Sequence, residues 1–370
     1  MLTLSNYANP DLTWEHQKQW NLGVDIGLLN RLSLSVDFYN KISSGFLYQL
    51  SYPFYTGAPI QGVGVSPPYG NIGKMQNEGY DITLNYHTLH SKNFTWTSTV
   101  TFSHYRNTVK ELSSQNSSII TSINTGNTNI TKTAPGQPIG QFYGYQVQGL
   151  FQTPEQLFSA PVQNGVPIDA RTGMYLGDIQ FRDLNKSATV NDSDRTYIGN
   201  PNPKFTFGFT NNFSYRNFDL TIFLQGCYGN DVFNYTRVWG EKMSVTSGNQ
   251  MASVNKRWTP ENVNTSMPRY AQADPNNNER VSNRFVEDGS YMRIGTLTLG
   301  YSVPPVLLKK LKVVTRLHVY FSAQNLYTFT HYSGLDPEIG SYNGNPLLTG
   351  VDVGRYPVPK TFTGGLNLEF

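Results

Sequence analysis

The sequence predicts an all-β protein, and more narrowly an antiparallel transmembrane β-barrel wall. Three observations carry this. Apolar and polar residues alternate along nine separate stretches, the links between those stretches alternate short and long, and the chain ends on an alternating stretch whose last residue is aromatic. In that last stretch Phe362, Leu366, Leu368 and Phe370 fall on one face and Thr361, Thr363, Gly365, Asn367 and Glu369 on the other. Composition agrees: charged residues are 14%, and 24 Tyr, 21 Phe and 33 Gly suit strands and turns better than helices. No apolar run approaches the roughly 18 residues of a spanning helix, which leaves closed strands as the other way to satisfy backbone groups in lipid. A negative mean hydropathy is no objection, because a barrel wall needs apolar residues only at every second position.

Taken in order, residues 19–27 alternate through Trp20, Leu22, Val24 and Ile26, and a tight link at Leu28 to Asn30 leads into 31–44 with Leu32, Leu34, Val36 and Phe38. A second hairpin joins 78–88 (Tyr80, Ile82, Leu84, Tyr86) to 93–108 (Phe94, Trp96, Val100, Phe102) through a turn near His90 to Lys92. The third pairs 203–214 with 217–228 around Arg216, setting Phe205, Phe207, Phe209 and Phe213 beside Phe218, Leu220, Ile222 and Leu224, with Asp219, Thr221 and Gln225 opposite. The fourth pairs 290–302 with 314–327 across Pro304 and Pro305, and places His318 on the polar, lumenal side. The final strand is 361–370.

Between the hairpins lie polar, Gly- and Tyr-rich stretches at roughly 45–77, 110–202, 229–288 and 328–360, too long for ordinary connections in a compact domain. Outer-membrane barrels have short periplasmic turns and long external loops, so the tight turns and the C-terminus are read as periplasmic. A soluble sandwich or propeller also has alternating strands, but its loops would be of similar length at both ends. Single-chain bacterial barrels have even strand counts, so nine strands place the others before residue 1. The opening MLTLSNYANP lacks a basic n-region and apolar h-region, so the expected export signal also lies upstream. Net charge is only +3, which argues against a nucleic-acid partner, and the lone Cys227 excludes an internal disulfide.

Five segments in this order resemble the C-terminal part of a SusC/RagA-type TonB-dependent outer-membrane transporter. They are Asn9 to Glu15 followed by Gln19 to Asp25, Gly70 to Tyr80, Gly136 to Tyr145, Arg195 to Lys204, and Ser322 to Leu326. The resemblance covers nearly the whole chain. It implies a barrel of about 22 strands closed by an N-terminal plug, import driven through TonB, and a SusD-like surface lipoprotein as a lid. It implies oligosaccharide substrates, or peptides. The plug, the TonB-contacting box and the signal peptide are absent from this sequence, so it is read as a fragment. The runner-up is a soluble or surface β-protein that binds glycans without transport.

Candidate site residues follow. Asp183 to Asp194 resembles an aspartate-rich, calcium-type loop of the family: Asp183, Asn185 and Asp194 stand at positions 1, 3 and 12, while Ser187 and Ala188 replace the usual acid and glycine at 5 and 6. A hydrogen-bonded Asx-type loop is the alternative. Upstream, Thr153-Pro154-Glu155-Gln156 predicts a capped helix over about 153–159 within the external excursion 110–202. Aromatics of the external segments, Tyr48, Tyr69, Tyr332 and Tyr342 among them, would stack on sugar rings or form membrane girdles. Tyr52, Phe54, Tyr55 and Trp239 are the candidates for ligand or lid contact, and Phe370 for the assembly signal. An enzyme is not expected. HExxH, GxSxG and GxxxxGK[ST] are absent, the six His show no ligand spacing, and the acids Glu241, Asp336 and Glu338 are read as solvated loop carboxylates.

Overall fold

The computed structural model describes residues 8–49, 69–88, 93–112, 118–123, 128–244, 248–309 and 313–370. Its wall is one nine-stranded antiparallel sheet in strict chain order: β1 (His16–Leu28), β2 (Leu32–Gln49), β3 (Tyr69–His87), β4 (Phe94–Glu111), β5 (Phe205–Tyr215), β6 (Phe218–Tyr228), β7 (Tyr291–Ser302), β8 (Arg316–Thr330) and β9 (Thr361–Glu369). Register keeps the apolar residues on one face across all nine. One row runs Ile26, Leu34, Leu84, Val100, Phe209, Leu224 and Ile294; another runs Phe213, Leu220, Leu299 and Phe321. A slip of one residue in any pair would throw that strand's apolar set to the other face.

Aromatic rings border the aliphatic band at both ends. On the outer side Tyr80, Phe102, Phe205 and Tyr228 follow one another at centroid spacings of 6.1, 5.0 and 5.1 Å. On the periplasmic side Tyr86, Trp96 and Phe213 do the same at 5.1 and 5.9 Å, and Phe218 meets Tyr301 at 4.7 Å. From Phe205 to Phe213 is about 26 Å along the strand. A tilt near 40° reduces that to roughly 20 Å of depth, close to the height of an outer-membrane apolar band.

Asn211 is a polar residue in this apolar face. It is buried at 6%, and Trp96 Nε1 donates to its Oδ1 at 3.0 Å. Replacing Trp96 by Phe is expected to leave that carbonyl without its donor and to cost about 1–3 kcal/mol. Heat-modifiability on a gel reads the loss, and the double change Trp96→Phe with Asn211→Leu should recover most of it. The opposite face is polar and hydrogen-bonded from strand to strand: Thr99 donates to Asn85 at 2.8 Å, Thr221 to Asn212 at 2.9 Å, and Thr298 bonds Ser322 at 2.7 Å.

The periplasmic turns are tight where the chain permits. Leu29 and Asn30 (φ 55° and 53°) join β1 to β2, and Arg216 (φ 55°) with Asn217 joins β5 to β6. The link expected at His90 to Lys92 lies outside the described residues. Three strand limits correct the expectation from alternation. Residues 45–49 and 69–77, read as loop, are paired strand, as Leu47 with Asn71 and Ser44 with Lys74 show, and β4 runs on to Glu111. Above the lipid the alternation breaks, with Asn40, Glu78 and Arg106 on the apolar side and Phe46, Leu47 and Tyr48 in an unbroken run, so the backbone ladder continues while the period-two signal stops.

The long connections form a body with its own core, while the wall's apolar face stays open. Leu22, Leu299 and Leu366 are 59%, 53% and 64% exposed, whereas Phe142, Phe151, Phe233 and Ile179 are fully buried. A four-stranded sheet within 112–204 is made by Ile119–Ile123, Thr128–Thr133, Gln141–Gly144 and Thr196–Gly199. Asp231–Asn234 pairs with Val286–Asp288 on one side and with Val351–Asp352 on the other, joining the excursion after β6 to the one after β8. One cluster unites the three excursions after β4, β6 and β8: Ile123, Ile130 and Phe142 from the first of these, Phe233, Tyr235 and Phe285 from the second, Leu348 and Val351 from the third. The helix α1 (Pro154–Ser159) belongs to this body. The amide of Gln156 donates to Thr153 Oγ1, the amide of Thr153 donates to Gln156 Oε1, and Leu157 is buried.

Candidate functional site

The aspartate loop is built on backbone N–H groups. Asp183 Oδ1 and Oδ2 accept from Ser187 and Ala188 at 3.1 and 2.8 Å, and Asn185 Oδ1 accepts from Ser187 at 2.9 Å. Asp194, fully buried, accepts from Leu184 and Asn185 on one oxygen and from Asn191 on the other. Lys186 and Ala188 take positive φ to allow this closure. All five side-chain oxygens already hold an amide hydrogen, so a cation there would share them. Among the described residues no cluster of three or more His, Cys, Asp or Glu is placed to hold a metal ion.

Trp239 sits on α2 (Tyr235–Gly240), capped by Asn234 Oδ1. Its indole is 47% exposed, with an edge against Tyr235 at 5.3 Å. It lines a cleft of about 430 Å³ with Tyr145, Arg195, Lys242 and Arg280. Burial, then a bond to Asp192 Oδ1 at 2.9 Å and that residue's charge, push the Tyr145 hydroxyl up to about 12, so it stays a donor. Tyr52, Phe54 and Tyr55 lie outside the described residues. Tyr332 is a packing residue: it is buried and donates to Asp352 at 2.5 Å, and burial together with that bond raises its pKa.

Two carboxylates correct the solvated reading. Glu241, 6% exposed, accepts from Arg237 and from Arg284 at 2.7 Å, and Asp336, 5% exposed, holds Arg293 of β7 at 2.6 Å, with Glu338 on the same guanidinium at 2.8 Å. Arg237 lies one helical turn from Glu241, but Arg284 and Arg293 come from 43 positions away in each case, which local composition cannot show. Arg293 fastens the excursion after β8 onto the wall. On the lumenal face His318 Nε2 lies 2.8 Å from Asp219 Oδ1, above Gly300, where any Cβ would collide with both. Phe370 closes the chain, 77% exposed.

A family model described as TonB dependent receptor-like, beta-barrel matches residues 3–326. The chain belongs to this TonB-dependent receptor β-barrel family. It is of the SusC/RagA type and is placed in the bacterial outer membrane. TonB-dependent receptor P3 of Formosa agariphila is 35% identical over all of this chain, and TonB-dependent receptor SusC of Bacteroides thetaiotaomicron is 27% identical over 98% of it. A solved structure of the RagAB peptide transporter superposes with a TM-score of 0.78 at 25% identity, covering 100% of this chain and 36% of that one. The chain spans about a third of the length of these relatives, 35% for P3 and 32% for SusC.

In this TonB-dependent receptor barrel the cleft brings together residues that sequence reading treated separately or missed. Trp239 was singled out. Tyr145 and Arg195 were noted only as ends of family-like segments, and Arg280 carried no signal. Its neighbours Tyr145 and Phe181 are more than 90 positions away, so no local motif joins them.

Proposed function

We propose that the intact protein imports a large nutrient, an oligosaccharide, across the outer membrane with energy delivered through TonB, and that a SusD-like lipoprotein seats on its external body as a lid. No catalytic step is assigned. The observation that carries this is the pairing of a one-sided lipid-facing wall with a packed external body holding an exposed tryptophan beside hydrogen-bonding groups. Such a body is a recognition surface on a transport scaffold. A peptide substrate is the second reading, supported by the structural likeness to the RagAB peptide transporter.

Deleting the gene should abolish uptake of labelled oligosaccharide, and a protonophore should abolish it in the parent strain. Loss of peptide uptake alone would favour the second reading, and unchanged uptake of both would defeat import. A tagged intact transporter should bring down one surface lipoprotein. Phe370 is proposed as the assembly signal. Removing it from the intact protein should lower outer-membrane yield several-fold on quantitative blotting, and unchanged yield would remove that role.

A further inference from the structure

We propose that the cleft beside Trp239 recognises an acidic saccharide, one bearing a carboxylate or sulfate on a ring that the indole covers. This rests on the import reading and narrows it. Three deeply set arginines of the external body and wall each have a carboxylate within 3 Å: Arg269 with Asp178, Arg284 with Glu241, Arg293 with Asp336. Arg280 has none within ion-pair distance among the described residues, although it is only 8% exposed; the carboxylates of Asp274 and Asp192 act on it from further away. Its guanidinium is clamped between the rings of Phe181 and Tyr145, at 4.2 and 4.9 Å, and its Nε and one Nη are held by the carbonyls of Asn277 and Asn276. A buried cation without a counter-charge in contact is costly, and rings, carbonyls and more distant carboxylates only partly replace one.

Arg195 lines the same cleft, also without a carboxylate in contact among the described residues. One of its Nη atoms donates to the carbonyls of Asn129 and Tyr143, and its Nε is buried with no acceptor. The acids nearby are already engaged: of the two that line the cleft, Asp192 accepts from Tyr145 and Glu279 is held by Lys242 at 2.9 Å and Ser244 at 2.5 Å, while Asp274 accepts from the amides of Asn278 and Glu279. Two fork-shaped donors therefore line one cleft with no carboxylate in contact among the described residues, the geometry that takes a carboxylate or sulfate. The neighbouring indole offers a flat apolar surface with a polar edge, suited to the C–H face of a sugar. At about 430 Å³ the cleft has room for one or two rings.

The test is calorimetry on the intact transporter in detergent, with four probes: tetragalacturonate, a sulfated galactan tetramer, neutral galactotetraose and tetra-aspartate. One of the two acidic tetramers should bind at least tenfold more tightly than the neutral one, and the advantage should shrink as salt rises. Arg195→Gln, a change at a half-exposed position, should abolish most of that preference, as should Arg280→Gln if its melting temperature is retained. Trp239→Ala should weaken acidic and neutral tetramers alike. Equal binding of neutral and acidic tetramers, no binding of any, or tighter binding of tetra-aspartate would each overturn the assignment. Binding with this preference but without uptake in cells would defeat the import reading and leave the cleft standing, whereas uptake without the preference would do the reverse.

Discussion

Phe233→Ala is expected to loosen all three external excursions together and to cost about 3–5 kcal/mol, the range for emptying a fully buried aromatic site. Phe233 has no exposed surface, and its ring lies 5.8 Å from Phe142, 6.2 Å from Phe285 and 6.4 Å from Tyr235. Its amide donates to Gly350 at 2.9 Å, so its backbone also binds the third excursion. Hydrogen exchange on the intact protein should show protection falling in concert around 119–145, 231–240 and 346–352, with β5 and β6 unchanged. A loss confined to 231–240 would mean that the excursions are independent loops. Phe158→Ala is the control: that ring is 72% exposed and should change nothing measurable.

Leu224→Arg is expected to cost about 2–4 kcal/mol and to reduce assembled barrel, because it places a charge near mid-depth on the lipid side. Leu224 pairs with Phe209 and Ile294, midway between the rings of Phe218 and Tyr228 on its own strand. Thr221 faces the other way and bonds Asn212, so Thr221→Arg should cost under about 1 kcal/mol, as lumenal changes do. Folded yield in vesicles and urea unfolding would separate the two. Equal sensitivity would mean that the lipid-facing assignment is wrong.

The wall was legible because lipid imposes one chemical demand at every second residue. Where that demand ends, legibility ends as well: the outer parts of β2, β3 and β4 show as strand through backbone pairing, with Asn40, Glu78 and Arg106 side by side where the apolar row would continue. Asn211 broke the pattern on its apolar face, and its partner Trp96 is 115 positions away. The capped helix at Thr153 was legible since both halves of the box lie within four residues. The cleft was not, since Arg280 owes its setting to two rings brought in by distant parts of the excursion after β4, Tyr145 just past the strand Gln141–Gly144 and Phe181 at the end of Ile179–Phe181.

The shared core of the external body sets an order on biogenesis. Leu348 and Val351, which finish that core, lie between β8 and β9, more than 200 positions after Ile123 and Phe142. The excursion after β4 thus keeps an unfinished apolar side until the segment before β9 docks on it. Contacts of such long sequence separation form slowly. The outer face consequently closes as a receipt for completed folding: a barrel in which that segment has not docked is expected to display sticky, protease-sensitive loops, and a finished one is not.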